Sequence, residues 1–319
     1  MTDPRPTPAS APDAPDAPDD GLDVDPGLDT ALIHAAVARA LDEDLGPAPG
    51  RDVTTQATVP VDETGVAHLV AREAGVVAGL VVIADVLEQV ADRLALPDVA
   101  VALRVPDGAR VAAGDLLAVL TGPVQVLLVA ERTLLNFASR ASGVATHTRR
   151  WADALAGTNA LVLDTRKTTP GLRALEKYAV RCGGGTNKRM GLYDVAMVKD
   201  NHVVAAGSVA AAVAAVRAHF PDVVVQVEAD TLAQALEAVD VGARFLLLDN
   251  MPTALLADVV AAVRAGEART GRVELEATGN LTLDRAAEVA ATGVDYLSVG
   301  ALTHSSPILD LALDLISRG

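Results

Sequence analysis

The sequence predicts an α/β protein, and two observations carry the prediction. Beyond Leu161, apolar strand-like runs alternate with Ala-rich helical stretches, the pattern of parallel strands covered by helices. Before that point, short strand-like runs with Gly and Asp at their joints surround a single helical stretch, which reads as a separate α+β domain. The chain has 319 residues, enough for two domains or one large one, and 50% are hydrophobic, enough for a sizeable core.

Each element follows in order. Residues 1–27 hold seven of the 17 prolines and seven aspartates against the single Arg5, a composition that predicts a disordered acidic tail. From Asp29 to Leu45, the apolar residues Leu32, Ile33, Ala36, Val37, Ala40 and Leu41 recur at helical spacing. Asp52-Val53-Thr54-Thr55 reads as a turn, residues 65–72, 76–80, 98–105 and 116–120 as strands, and 81–94 as a helix among them. Pro123 stands where a long helix reaching to about Leu155 can begin. Strands follow at 161–164, 195–198, 223–227, 245–248, 273–276 and 296–299, with helices at 207–220, 231–240, 252–265, 282–292 and 307–317. Six such strands fit either an open doubly wound sheet or a small barrel.

Composition excludes several function classes. Aromatic residues are 2% of the chain and the net charge is −16, a poor match to nucleic-acid phosphates or to base stacking. The single cysteine, Cys182, rules out an intramolecular disulfide, and there is no CxxC motif. No basic-then-apolar leader and no charge-free apolar run long enough for a membrane are seen, so a cytoplasmic protein is expected.

Basic charge is distributed unevenly. All four lysines, Lys167, Lys177, Lys188 and Lys199, fall in one stretch that also holds Arg166, Arg181 and Arg189, while the other 22 basic residues of the chain are arginines. Arginine replaces a solvated lysine easily but not a compact ammonium in a tight site. The stretch therefore reads as an anion-binding centre, with a solvated basic face as the plain alternative. Each barrel-type strand also ends on a polar or glycine group: Thr165-Arg166-Lys167, Lys199-Asp200-Asn201, Glu228 with Asp230, Asp249-Asn250, Thr278-Gly279-Asn280, and Gly300-Ala301. In parallel α/β folds, ligands sit beyond these strand ends. Helix capping accounts for one or two such residues, not for six.

The segments Asp164-Thr-Arg-Lys-Thr-Thr-Pro-Gly171, Glu176-Lys-Tyr178, Gly183-Gly-Gly185, Arg189-Met-Gly-Leu192 and Val198-Lys-Asp-Asn-His202 resemble quinolinate phosphoribosyltransferase. The resemblance runs from about Asp29 to the C-terminus. It implies an N-terminal α/β sandwich over residues 28–131 and a six-stranded α/β barrel over 132–319, in a homodimer whose sites are completed by the partner subunit. It implies transfer of phosphoribosyl from phosphoribosyl pyrophosphate to quinolinate with decarboxylation, in NAD biosynthesis, with Mg2+ and without nucleic acid or membrane partners. Arg132 would reach the neighbouring site, and Arg166, Arg189 and Lys199 would bind the quinolinate carboxylates beside Thr165. Lys167 and Lys199 would contact the pyrophosphate or ribose. Glu228 and Asp249 would serve the metal and the ribose. Thr278, Gly279, Asn280, Val299, Gly300 and Ala301 would cradle the 5-phosphate.

One departure stands out: Lys188 occupies a position where the family pattern usually has His. A carboxylate-binding role is expected for it. Thr278 stands where Ser is frequent and keeps the hydroxyl. Lys177 is expected to support the fold, and His202 to order its loop. Three other readings compete: a Schiff-base aldolase using Lys167 or Lys199, a phosphoribosyltransferase for another acceptor, and a binding protein without catalysis.

Overall fold

The computed structural model describes residues 28–316, so the expected tail at 1–27 lies outside the described residues. The first helix, Thr30–Leu45, begins where Asp29 caps it by accepting the Leu32 N–H at 3.1 Å. It buries Ile33, Ala36, Val37 and Leu41, one helical face, against the helix Ile83–Leu94 and the long helix Val124–Ala154. The expected strand at 76–80 is cut to Gly75–Val76. Gly79, at φ 86°, turns the chain into a short 3-10 helix, and a Cβ there would sit 2.9 Å from Ala141 Cβ, so both backbone and space require glycine.

The N-terminal sheet has four antiparallel strands in the order Leu311–Ile316, Thr64–Ala71, Leu116–Pro123, Ala100–Leu103. Its outermost member corrects the sequence reading, which put a helix at 307–317. Leu311, Leu313 and Leu315 alternate with Ala312, Asp314 and Ile316, a period of two, and Leu313 pairs with Leu69. The one strand that pairs with this segment among the described residues, Thr64–Ala71, lies in the first quarter of the chain. Arg72 donates to both Asp314 carboxylate oxygens at 2.7 and 2.9 Å, and the Arg72 N–H to the Asp310 carbonyl.

Pro123 ends its strand and caps the 31-residue helix Val124–Ala154. This helix is buried along much of its length. It touches the first sheet through Leu116–Pro123 and Leu311–Ile316, and the second sheet through Leu161–Leu163. It therefore fixes one sheet against the other.

The second sheet is wholly parallel, in the order Leu161–Leu163, Tyr296–Ser298, Glu274–Thr278, Phe245–Asp249, Val224–Ala229, Val195–Val198. Its last strand in sequence pairs with its first. That adjacency closes a cylinder and excludes the doubly wound alternative. The seam lies between the first two strands, which share no ladder among the described residues; beside it a single parallel bridge joins Leu163 to Thr186, ahead of Val195–Val198. All six strands share one direction, so all six C-terminal ends meet at one mouth.

Candidate active site

That mouth opens into a cleft of about 630 Å³. Five cations line it, Arg166, Lys167, Lys188, Arg189 and Lys199, against three carboxylates, Glu228, Asp249 and Glu276. Thr165, Asn250, Thr278, Gly279, Asn280 and Ser298 add polar groups. A cleft with a positive excess in a chain of net charge −16 concentrates small anions locally.

The lysines are held one by one. Lys199, at the end of Val195–Val198, places Nζ 2.6 Å from Glu228 Oε2, and its backbone N–H donates to His202 Nδ1 at 2.9 Å. His202 therefore orders the loop, as expected. Lys188 Nζ lies 2.5 Å from Glu276 Oε1, with only 9% of the Lys188 side chain exposed. Burial lowers the pKa of its ammonium, and Glu276 opposes that shift. Lys177 is fully buried, 2.5 Å from Asp164 Oδ1, and supports the loop rather than the cleft. Lys167 is exposed, and its ammonium has no hydrogen bond or ion pair among the described residues.

The arginines differ. Arg189 donates to the Val195 carbonyl at 3.0 Å; burial and then the nearby Arg166 guanidinium lower its pKa. Arg166 lines the cleft, and its Nε is buried and unpartnered among the described residues.

The carboxylate side rests on interlocked asparagines. Asn250 and Asn280 both adopt positive φ, 53° and 48°, the first directly after strand Phe245–Asp249 and the second one residue beyond Glu274–Thr278. Asn280 Nδ2 donates to Asn250 Oδ1 at 3.0 Å, and Asn250 Nδ2 to Asp249 Oδ2 at 2.9 Å. A Cβ on Gly279 would lie 2.2 Å from Asn250 Oδ1, so only glycine admits this chain of contacts. The chain fixes the Asp249 carboxylate at the rim.

Four expected residues lie outside the cleft lining. Val299 is buried, with its N–H donating to the Leu163 carbonyl at 3.0 Å. Gly300 and Ala301 open the turn Ala301–His304, and a Cβ on Gly300 would lie 3.0 Å from Lys167 Cδ. Gly300 thus makes room for the Lys167 stem. Thr303 ties the same turn to the cleft by donating to the Lys167 carbonyl at 2.9 Å. Arg132 is exposed on the long helix and lines a second cavity, of about 430 Å³, with Arg39, Asn136 and Arg140. Three polar cleft residues escaped the sequence reading as site residues, Asn250, Glu276 and Ser298. The paired asparagines at consecutive strand ends offered a signal for the first. Glu276 lies inside a strand, where an inward carboxylate can be told from a solvated one only by the fold.

Fold and cleft together define an α/β-barrel protein built to hold small polyanions at the strand ends. Family models for the N-terminal and C-terminal domains of quinolinate phosphoribosyl transferase match residues 52–142 and 144–314. The chain is 48% identical to the nicotinate-nucleotide pyrophosphorylase (carboxylating) of Mycobacterium leprae, over 88% of this chain and 95% of that one. It is 38% identical to quinolinate phosphoribosyltransferase (decarboxylating) 1 of Nicotiana glauca, over 91% of this chain and 84% of that one. The solved nicotinate-nucleotide pyrophosphorylase of Francisella tularensis superposes with a TM-score of 0.82 at 33% identity, covering 91% and 98% of the two chains. The chain belongs to the quinolinate phosphoribosyl transferase family.

Proposed function

We propose that this chain transfers the phosphoribosyl group of phosphoribosyl pyrophosphate to quinolinate, releasing pyrophosphate and carbon dioxide and yielding nicotinate mononucleotide. It does so as a cytoplasmic homodimer in NAD biosynthesis. One observation carries the reading: a chain 48% identical to a carboxylating nicotinate-nucleotide pyrophosphorylase places five cations and three carboxylates in a single cleft. Quinolinate brings two carboxylates and phosphoribosyl pyrophosphate brings its phosphates, so the ligands supply the counter-charge.

Arg166, Arg189 and Lys188 hold the two quinolinate carboxylates, and Thr165 borders them. Lys167, whose ammonium is uncommitted, and Lys199 face the pyrophosphate. The quinolinate ring nitrogen attacks the anomeric carbon, and the bond to pyrophosphate breaks. Glu228 and Asp249 stabilise the positive charge that develops on the sugar. The carbon–carboxylate bond next to the now cationic nitrogen then breaks. Its electron pair stays on the ring carbon, which takes up one proton. Backbone N–H groups of the Thr278–Asn280 loop and of Gly300 and Ala301 hold the 5-phosphate, while the Val299 N–H stays on the Leu163 carbonyl and fixes the turn that presents them.

Among the described residues, no group of three or more His, Cys, Asp or Glu could by itself hold a metal. Two rim carboxylates, Glu228 and Asp249, nonetheless fit Mg2+, which keeps several waters and binds through one or two carboxylates plus substrate phosphates. When bound, Mg2+ would offset the charge on the departing pyrophosphate. Arg132, which lies outside its own chain's cleft lining, is assigned in this proposal to the partner subunit's site in the dimer.

The test is simultaneous measurement of carbon dioxide and pyrophosphate from quinolinate, phosphoribosyl pyrophosphate and Mg2+. Equal release that requires all three is expected. Pyrophosphate without carbon dioxide would point to another acceptor, and release of neither by folded protein would end the reading.

A further inference from the structure

Glu276 is fully buried beneath the cleft, in the middle of strand Glu274–Thr278. A buried carboxylate is costly unless every oxygen is engaged. Here Oε1 accepts from Lys188 Nζ at 2.5 Å and from the Ser298 hydroxyl, and Oε2 accepts from Gln226 Nε2 at 2.6 Å. The three donors come from different elements: the loop after Gly183–Gly185, the strand Tyr296–Ser298 and the strand Val224–Ala229. Gln226 and Ser298 are themselves buried, so the carboxylate has no freedom to turn away.

An ammonium carries three donor hydrogens, and Glu276 takes one from Lys188. Among the described residues, Lys188 Nζ makes no other hydrogen bond, and the residue lines the cleft. The remaining donors are therefore available to a ligand on the cleft floor. Lysine alone is a poor choice for that task, because its four-carbon stem is flexible and burial opposes its charge. Glu276 answers both problems, since it fixes the direction of the stem and supplies the countercharge.

We infer that Glu276 is a positioning residue. Held by Gln226 and Ser298, it presents the charged Lys188 ammonium to a carboxylate of the pyridine substrate and takes no part in binding the sugar phosphate. The inference rests on the proposed reaction and deepens it, because it gives the residues that hold Lys188 charged and directed on the acceptor side of the cleft.

The experiment measures kcat and both KM values, with melting temperatures, for wild type, Glu276→Gln, Lys188→Met, Ser298→Ala and the double variant Glu276→Gln/Lys188→Met. Glu276→Gln is expected to raise the quinolinate KM roughly tenfold or more, the scale of a lost charge-assisted hydrogen bond. The phosphoribosyl pyrophosphate KM should stay within about twofold. The double variant should be no worse for quinolinate than Lys188→Met, because Glu276 acts only through Lys188. Ser298→Ala keeps both charges and should still raise the quinolinate KM by roughly threefold, so a poorly folding Glu276→Gln leaves the idea testable. An unchanged quinolinate KM in Ser298→Ala and Glu276→Gln, effects that multiply in the double variant, or an equal rise in both KM values would each overturn the inference. Absence of quinolinate turnover by wild type would instead sink the proposed reaction, which keeps the two failures distinct.

Discussion

Replacing Lys177 by Met leaves its buried partner without a countercharge, and the structure sets the scale of the loss. Lys177 heads the largest fully buried side chains, and Asp164 is equally inaccessible. Asp164 would keep the Lys188 N–H at 2.8 Å and, with the Asn187 amide turned to suit its neighbours, a second donor at 2.9 Å. It would lose Nζ at 2.5 Å. Breaking a buried pair from one side costs about 3–5 kcal/mol. At roughly 2–4 °C per kcal/mol for a chain of this size, the melting temperature should drop by about 10 °C. Removing both charges in Asp164→Asn/Lys177→Met should recover most of that loss, since the uncompensated charge is gone. The loss should also depend on pH. Burial raises the Asp164 carboxyl to about 6 even with Lys177 opposing it, and without Lys177 it rises further. A carboxyl whose folded pKa exceeds its unfolded one takes up a proton on folding. Its stabilising share is complete below the unfolded value and disappears as pH rises through the folded one. The Lys177→Met deficit should therefore be small near pH 5 and full near pH 8, read by urea denaturation at both. A deficit of equal size at the two pH values, or none at either, would refute a charged Asp164–Lys177 pair as the support of this loop.

Other consequences follow from the same geometry. Asp249→Asn should lower kcat by roughly 100-fold or more while leaving the quinolinate KM nearly unchanged, measured by steady-state kinetics, because the lost charge acts on the developing cation. Mixing inactive Arg132→Ala and Lys199→Ala subunits should restore about a quarter of wild-type activity if Arg132 completes the partner's site, since a mixed dimer then holds one intact site. No recovery after verified subunit exchange would remove that role. Ending the chain after Asp310 should expose the Thr64–Ala71 edge and yield aggregated protein, seen by size-exclusion chromatography, because an unpaired apolar strand recruits other chains.

How much of this was legible in the sequence depends on the distance over which each signal acts. Helix Thr30–Leu45 and the six parallel strands carry their periodicity within a single window, and their observed bounds fall within a few residues of the expected ones. The final segment failed for the opposite reason. Its apolar content suits either element, and what makes it a strand is pairing with Thr64–Ala71, about 240 residues earlier. The cleft was largely visible because strand ends in parallel sheets must converge, so Lys167, Lys199, Glu228 and Asp249 could be read as neighbours before any coordinates. Glu276 was not visible. Its sequence surroundings, Val273-Glu-Leu-Glu276, show two carboxylates on one face of a strand, and nothing local distinguishes the exposed Glu274 from the buried Glu276. Only closure of the cylinder, which brings Gln226, Ser298 and Lys188 to it, separates the two.

The scarcity of lysine now has a physical account. Of the four ammonium groups, three lie 2.5 or 2.6 Å from a carboxylate: Lys177 on Asp164, Lys188 on Glu276 and Lys199 on Glu228. A planar guanidinium needs a wider, bidentate setting and could not enter the space around Asp164 or Glu276 without displacing the strands. Elsewhere the cations are solvated or spread several donors over a wide fork, as Arg264 does with the Val273 carbonyl and Asp295 and Arg140 with the buried Glu176 and the Ser306 carbonyl, and arginine serves there. Lys167 is the exception that follows from the same logic. Its stem passes over Gly300, where a Cβ would crowd it, and its ammonium meets no carboxylate among the described residues. A lysine that meets no anion among the described residues suits a ligand anion as its partner, and the proposed reaction supplies one in pyrophosphate.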